Sequence, residues 1–569
     1  MKTTSIVNSL FIAFLAAFII GCGGLGNMEK HIEELGATAE PEPLIVRGDS
    51  VELNISGKFP EKYFHKKVIA EATPVLVHGD SNTPFKMQGF AGEDAASNYE
   101  KIPYESGKSF SYTDRIAYDP VMENQGVLEL RISGSKGNKT AEFDPLVIGS
   151  GVITTPYLIQ SDDKPIMATD NYQRVLSYNQ EGVINYAYNS SRVASKETRD
   201  EDVMALKDLV AMAAEADSVT ITGCEVKAYA SPEGEITLNE DLAQERAESA
   251  NAVVIAEMKR KKILPEGDSF FVNTPKGEDW EGFKELMQAS EIEDKNLILR
   301  VLEQYQDKTK REQEIKNIAK TYKEIEKDIL PSLRRSQIMI SYDVEGYTDD
   351  ELRAVSVSNP DTLTVEELLY SATLTDDDAV KMDIYQATER LFGDDPRAIN
   401  NIGVLFLQQN RINDAESKFN RAIELDANFK PALNNAAIIH RIKGERSDAL
   451  DKLAQAAGAG DEVSYNKGIV QIQNGDYAGA ISNMGNMNSF NLALAKMLNG
   501  DNSGAKTALE NSGDDSAVAD YLMAIISARM NDGAGVTSSL QSAIGKDGSL
   551  KEKAMEDLEF RNFKDAMNF

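Results

Sequence analysis

The sequence predicts a multidomain α+β protein: an N-terminal antiparallel β-sandwich, an α/β domain of β-α-β-α-β order with a helical insertion, and a C-terminal α-helical solenoid. Three observations predict it. Short alternating strands separated by turn residues fill residues 42–157. A strand, a sharp turn and a long helix follow one another through residues 219–262. Beyond residue 366 the apolar pattern repeats with a 34-residue shift.

A chain of 569 residues accommodates about three to four domains. Its net charge of −32 and pI near 4.6 argue against nucleic-acid binding and against polybasic attachment to anionic lipid. The first 21 residues read as a signal peptide, with Lys2 ahead of an apolar run over residues 10–20 that is too short to span a bilayer. Ile19-Ile20-Gly21-Cys22 resembles a bacterial lipobox. The resemblance implies cleavage before Cys22, lipid attachment to its sulfur, and a membrane anchor. Residues 22–41, with Gly, Ala, Glu and Pro, read as a tether. The second cysteine, Cys224, sits in a predicted strand and reads as an inert core residue, so no disulfide is available.

Residues 42–165 form the expected sandwich. Its strands include residues 44–46, 51–55, 68–72, 74–78 and 127–132, broken at Gly79-Asp80 and at Gly134-Ser135-Lys136-Gly137. Arg47-Gly48-Asp49 reads as a turn between two of them.

The mixed domain is expected over residues 166–346. A strand at 182–189 precedes a helix at 201–216 whose Val203, Leu206, Leu209, Val210 and Met212 fall at helical spacing. Val219, Ile221 and Val226 begin the central strand, which breaks at Ser231-Pro232-Glu233-Gly234. Asn239 reads as the N-cap of the next helix, with Glu240 and Asp241 in its first turn and Leu242, Ala243, Ala247, Ala250, Val253 and Val254 as its stripe. Strands follow at 269–273 and 333–340, the last carrying Arg334-Arg335 at its start. Between them, residues 280–327 are charged and helix-favouring and read as an insertion; Trp280 reads as a core anchor of it or as a rim aromatic.

Gly234, Asn239, Leu242, Arg246 and Ala247, at this spacing across a strand–helix boundary, resemble the core of the OmpA-like peptidoglycan-binding domain. In that family an Arg guanidinium grips the carboxylate of a diaminopimelate group, and an Asp accepts from its ammonium. The resemblance implies that Arg246 supplies the first contact. Ser231 stands where the family has its aspartate, and Glu233 or Glu235 is left to provide the second charge. Asn239 is expected to hold the turn and the helix start. The other reading of Arg246 is a pair with a carboxylate on its own helix or loop.

Residues 347–365 read as a linker and 366–569 as the solenoid. Under the 34-residue shift Ile399 pairs with Leu433, Gly403 with Ala437, Ala415 with Ala449, Phe419 with Leu453 and Ala422 with Ala456. The pattern resembles the tetratricopeptide repeat, which implies a surface for a peptide or protein partner. His31, His65, His78 and His440 are scattered without paired metal-ligand spacing, and no phosphate loop, G-x-S-x-G elbow or H-E-x-x-H is present. No cofactor, metal or catalytic group is implied. The order of parts resembles envelope lipoproteins of Bacteroidetes-type bacteria. It implies a non-catalytic, outer-membrane, periplasm-facing scaffold whose α/β domain contacts peptidoglycan while the solenoid holds a protein. The alternative is an assembly scaffold whose OmpA-like domain has lost its ligand.

Overall fold

The structure, a computed structural model, describes residues 24–123, 126–265, 269–485 and 487–567, so the predicted signal peptide and Cys22 lie outside the described residues. The chain divides into two compact units: residues up to 168 together with 392–569, and residues 169–391. Among the described residues no helix is long and apolar enough to cross a membrane.

In the first unit, strand Ser50–Phe59 alternates buried Val51, Leu53 and Ile55 with exposed Glu52 and Asn54, the period-2 pattern that hides one face. It pairs antiparallel with Lys108–Ala117, and with Thr38–Glu40 and Leu44–Arg47. A second sheet is built on the antiparallel pair Ile69–His78 and Gly126–Lys136. The sandwich departs from purely antiparallel order at two places: Val152–Ile153 runs parallel to Leu44–Arg47, and Gln88–Gly92 parallel to Glu100–Ile102. Both sheets feed one core, in which the Phe59 ring lies 4.9 Å from Phe90 and 5.0 Å from Phe110.

The described part of the expected tether, residues 24–41, is instead part of the sandwich. Leu25–Lys30 is a helix and Ile32–Leu35 a 3₁₀ turn, and Leu25, Met28, Ile32 and Leu35 are buried in the sandwich core. Their spacing of three and four places one apolar stripe on one side, and that stripe decides the outcome over composition.

Among the described residues, five helix pairs make up the solenoid. They are Pro396–Gln408 with Ile412–Leu425, Lys430–Ile442 with Arg446–Gln455, Asp461–Gln473 with Tyr477–Met484, Phe490–Leu498 with Asn502–Glu510, and Ala517–Arg529 with Gly533–Lys546. Ala415, Phe419, Ala422, Ala449, Leu453 and Ala456 are all buried between helices. Gly403 allows the first pair to close: a Cβ there would stand 2.6 Å from the Phe419 ring. The solenoid starts later than residue 366, because Val365–Thr373 and Asp378–Leu391 belong to the second unit. The expected linker, 347–365, is largely structured as well. Thr348 and Glu351 form a capping box that starts helix Asp349–Ser358, and Thr364 with Glu367 does the same for Val365–Thr373.

The second unit holds a four-stranded sheet in the order Val175–Asn185, Arg335–Glu345, Val219–Ala230, Phe271–Glu278; the last two strands are parallel and the other neighbours antiparallel. Helices Glu201–Glu215 and Ile236–Lys261 share its core, through Val203, Leu206 and Val210 and through Ala247, Ala250 and Val254. Cys224 lies in that core, and burial pushes its thiol up to about 12, which leaves almost no thiolate at neutral pH. Four helices, Trp280–Ala289, Lys295–Gln304, Lys308–Lys316 and Ala319–Asp328, stand between the strands Phe271–Glu278 and Arg335–Glu345 in the chain, with a small core of their own around Phe283, Met287, Ile298 and Ile325. Trp280 packs half-buried against that core.

Candidate functional site

Two places among the described residues gather buried polar side chains: the turn after the central strand of the second unit, and the face of the first unit along the first helices of the pairs.

At the turn, Gly234 takes φ +94°, a backbone conformation that glycine adopts without strain, and the helix starts at Ile236 after an extended Glu235. Asn239 is therefore not the N-cap. It lies one turn into the helix, 5% exposed, and its amide donates to the Glu233 carbonyl (3.0 Å) and to Glu278 Oε1 (3.0 Å). It does pin the turn, from inside the helix.

Ser231 Oγ donates to Glu233 Oε1 at 2.6 Å, and Arg334 donates to the same carboxylate oxygen through Nη2 at 2.7 Å and Nε at 3.2 Å. Arg334 Nε also reaches Ser231 Oγ at 3.3 Å, and its guanidinium lies 5.2 Å from the Tyr188 ring centre. The pair is nearly dry, with side-chain exposures of 11% for Arg334 and 10% for Glu233. The Gly234 N–H, at the mouth of the turn, donates to Glu312 Oε1 of the helical insertion at 2.7 Å.

Arg246 is 1% exposed, and its guanidinium donates to backbone carbonyls in place of a carboxylate on its own helix or loop. Nε donates to the Ser190 carbonyl (3.0 Å), Nη1 to Tyr229 (2.9 Å) and Nη2 to Ala187 (3.5 Å), and the guanidinium lies 5.1 Å from the centre of the Tyr186 ring. Burial is the main cause that lowers this group to about 10, and Arg334 adds to it, while Tyr186 and Glu233 work the other way. The structure thus gathers Ser231, Glu233 and Asn239 around one turn, with Arg246 behind it. The residues that complete the cluster, Arg334 and Glu312, were outside the sequence-predicted set. Arg334 was legible as half of the basic pair that opens the closing strand; Glu312, in a run of alternating charges, carried no signal.

In the first unit, residues 160–168 run along the first helices of the solenoid as an extended strap held by asparagines. Asn491 brackets Gln160, accepting from its N–H (2.9 Å) and donating to its carbonyl (2.9 Å). Asn466 does the same for Lys164 (2.8 and 2.9 Å), Asn435 for Ile166 (2.8 and 2.8 Å) and Asn401 for Ala168 (2.7 and 3.0 Å). Asn434 and Asn400 each add a donor, to the Lys164 and Ile166 carbonyls, and the amides also bond one another, as from Asn435 to Asn400 and from Asn466 to Asn434. All six are at most 2% exposed. Two side chains of the strap are also gripped. Arg441 forks onto Asp163 (Nε–Oδ1 2.6 Å), and Asp162 accepts from the Tyr465 hydroxyl (2.6 Å) and the Asn491 amide (2.7 Å). Ile166 packs against the cluster of Leu433 and Val470, and Met167 against that of Val404 and Phe419. This face of the solenoid is covered by the chain's own residues 160–168.

The sandwich also meets the solenoid directly. The Arg47-Gly48-Asp49 turn places Arg47 Nε on the Gly475 carbonyl (3.0 Å) and Asp49 on Arg446 (2.8 and 3.0 Å). His440 Nδ1 is 2.6 Å from Glu445 Oε2, with Asp448 of the following helix close by, a grouping that linear spacing concealed.

No family model matches this chain, and no curated protein matches its sequence. Among solved structures it is similar to a tetratricopeptide repeat protein from Parabacteroides merdae ATCC 43184, at 13% identity and TM-score 0.29 over 38% of this chain and 90% of that one. It is similar to YrrB, a TPR protein with an unusual peptide-binding site, at 18% identity and TM-score 0.24 over 30% of this chain and 97% of that one. It is also similar to PilF of Pseudomonas aeruginosa, at 16% identity and TM-score 0.29 over 38% and 98%. The first helices of the five pairs start at residues 396, 430, 461, 490 and 517, so the first two pairs keep the 34-residue period and the later units are shorter; together they form an array of helical repeats.

Proposed function

We propose that this protein is a non-catalytic, membrane-tethered scaffold of the cell envelope. In this reading the sandwich and solenoid act as one rigid body that holds a protein partner, and the α/β unit is an OmpA-like domain that no longer holds peptidoglycan. The observation that carries the loss of ligand is the Arg334–Glu233 pair. The carboxylate that would stand in for the missing aspartate beside Ser231 already accepts two hydrogen bonds from a guanidinium in a nearly dry site. Freeing it would leave Arg334 buried and unpaired, which costs far more than an exposed pair is worth. Glu312 on the Gly234 N–H and the three carbonyls on Arg246 support the same reading. The wall-contact reading keeps one point in its favour, the presence of a carboxylate at Glu233 where the family pattern lacks its Asp at 231.

Co-sedimentation with purified peptidoglycan sacculi separates the two. The expected result is that the lipid-free chain, residues 23–569, stays in the supernatant, as does Arg246→Ala. Pelleting that is lost in Arg246→Ala would restore wall contact.

The anchor is proposed on Gly21-Cys22. Expressed in a bacterium with lipoprotein processing, the parent is expected in the detergent phase on Triton partition, and Cys22→Ser in the aqueous phase; equal partition of the two would remove the anchor from the proposal.

A further inference from the structure

The asparagines of the solenoid face bind the backbone of the strap at residues 160, 164, 166 and 168, all of one parity. An extended chain turns every second residue to the same side, so any extended peptide offers this set of N–H and C=O groups. Selection comes from two adjacent carboxylates and from the residues just after them. Arg441 forks onto Asp163, Tyr465 and Asn491 hold Asp162, the Lys164 ammonium lies 5.1 Å from the centre of the Tyr465 ring, and Ile166 enters an apolar cluster. Six amides and a guanidinium are almost solvent-free with the strap seated, and its backbone and the Asp163 carboxylate are the partners that satisfy them there.

We propose that this face is a peptide-recognition site occupied in cis by residues 160–168. Its ligand class is an extended segment led by two adjacent carboxylates, with an apolar residue three positions after the second. While the strap is seated the face is closed to other proteins, and a partner of the solenoid docks elsewhere on it. The strap is covalently continuous with the sandwich, and just upstream Thr155 bonds Glu559 of the solenoid (2.7 Å). A segment tethered this closely acts at an effective concentration on the order of millimolar, which a free peptide must exceed to compete. This inference is independent of whether the α/β unit touches the cell wall.

The test is fluorescence anisotropy with a labelled peptide of residues 159–169, titrated against the full lipid-free chain. The native chain is expected to show no binding up to about 100 µM, below the effective concentration of the tether. Asp162→Lys/Asp163→Lys, which sets one ammonium group against Arg441 and another against the Tyr465 and Asn491 donors and expels the strap, is expected to bind the peptide and to gain thermal stability from it. Adding Arg441→Ala in that background is expected to weaken binding by about tenfold or more, because the charge-assisted fork is gone. Equal binding by native and strap-expelled chains, or no binding by a folded strap-expelled chain, would overturn the proposal. If the double substitution does not fold, Asp163→Ala replaces it, and hydrogen exchange on the native chain provides a second readout. Amides of Lys164, Ile166 and Ala168 that exchange as fast as a free peptide would overturn the closed site; protection to the level of the solenoid helices agrees with it.

Discussion

Asn435→Ala lowers the stability of the sandwich–solenoid unit by about 3 kcal/mol, since it strands a buried backbone N–H and an amide acceptor at once. The side chain is 0% exposed; the Ile166 N–H and the Asn434 amide lose their acceptor, while Asn400 Oδ1 loses its donor. The Ile166 carbonyl keeps the Asn400 amide at 3.0 Å, so the loss is smaller than complete removal of the bracket. Asn435→Asp does not rescue: it preserves an acceptor for Ile166 but removes both donors and buries a charge with no cation beside it in the amide ladder. Chemical denaturation of the full chain measures the effect, and hydrogen exchange at Ile166 localises it. A change within about 0.5 kcal/mol of the native chain, the range of ordinary surface substitutions, would mean that the strap contributes nothing to the unit.

The strap shows why half of this architecture is legible in the sequence and half is not. The buried alternation of Val51, Leu53 and Ile55 and the 34-residue match of Phe419 with Leu453 are local or periodic, and such patterns survive in one dimension. The asparagine ladder is periodic too: Asn400-Asn401 recurs as Asn434-Asn435 under the same shift. A polar pair inside a helix nevertheless reads as a solvated face, and only its ligand, more than 200 residues earlier in the chain, makes burial possible. The turn obeys the same rule. Gly234, Asn239 and Arg246 are visible as a motif, while the groups that fill it, Arg334 and Glu312, come from 101 and 78 residues away. Where local chemistry did carry the information, it was overridden by composition: the Thr348-x-x-Glu351 and Thr364-x-x-Glu367 boxes mark helix starts inside the expected linker.

Both ligand-shaped places in this protein are thus satisfied from within. A carboxylate of the insertion sits on the glycine N–H of the turn, and the chain's own extended segment sits between the asparagines of the solenoid. The consequences differ because the two differ in extent. Glu312 makes one hydrogen bond to the turn and shares its carboxylate with Lys316, so its removal frees one N–H. The strap fills a slot whose walls are buried amides, so its removal unsettles the helices themselves.

Asp163 and Arg441 provide the sharpest measure of that dependence. Their side chains are 8% and 5% exposed, and the guanidinium binds both carboxylate oxygens. Removing one member leaves a buried charge uncompensated, so Asp163→Ala and Arg441→Ala are each expected to cost about 3–5 kcal/mol. Replacing both with apolar groups of similar volume, Asp163→Leu with Arg441→Met, removes the attraction and the desolvation penalty together. The double variant is therefore expected to be more stable than either alanine variant, and near the native chain, as for other buried pairs exchanged for apolar side chains. Thermal unfolding of the native chain, Asp163→Leu, Arg441→Met and the double variant closes the cycle. Additive costs, with the double variant as unstable as the two single changes combined, would show that the pair is solvated and that the strap lies over the solenoid without being gripped. A recovered double variant would show the opposite and separate two roles: the asparagines, which bind any extended backbone, hold the strap in place, and the ion pair sets which sequence the face accepts.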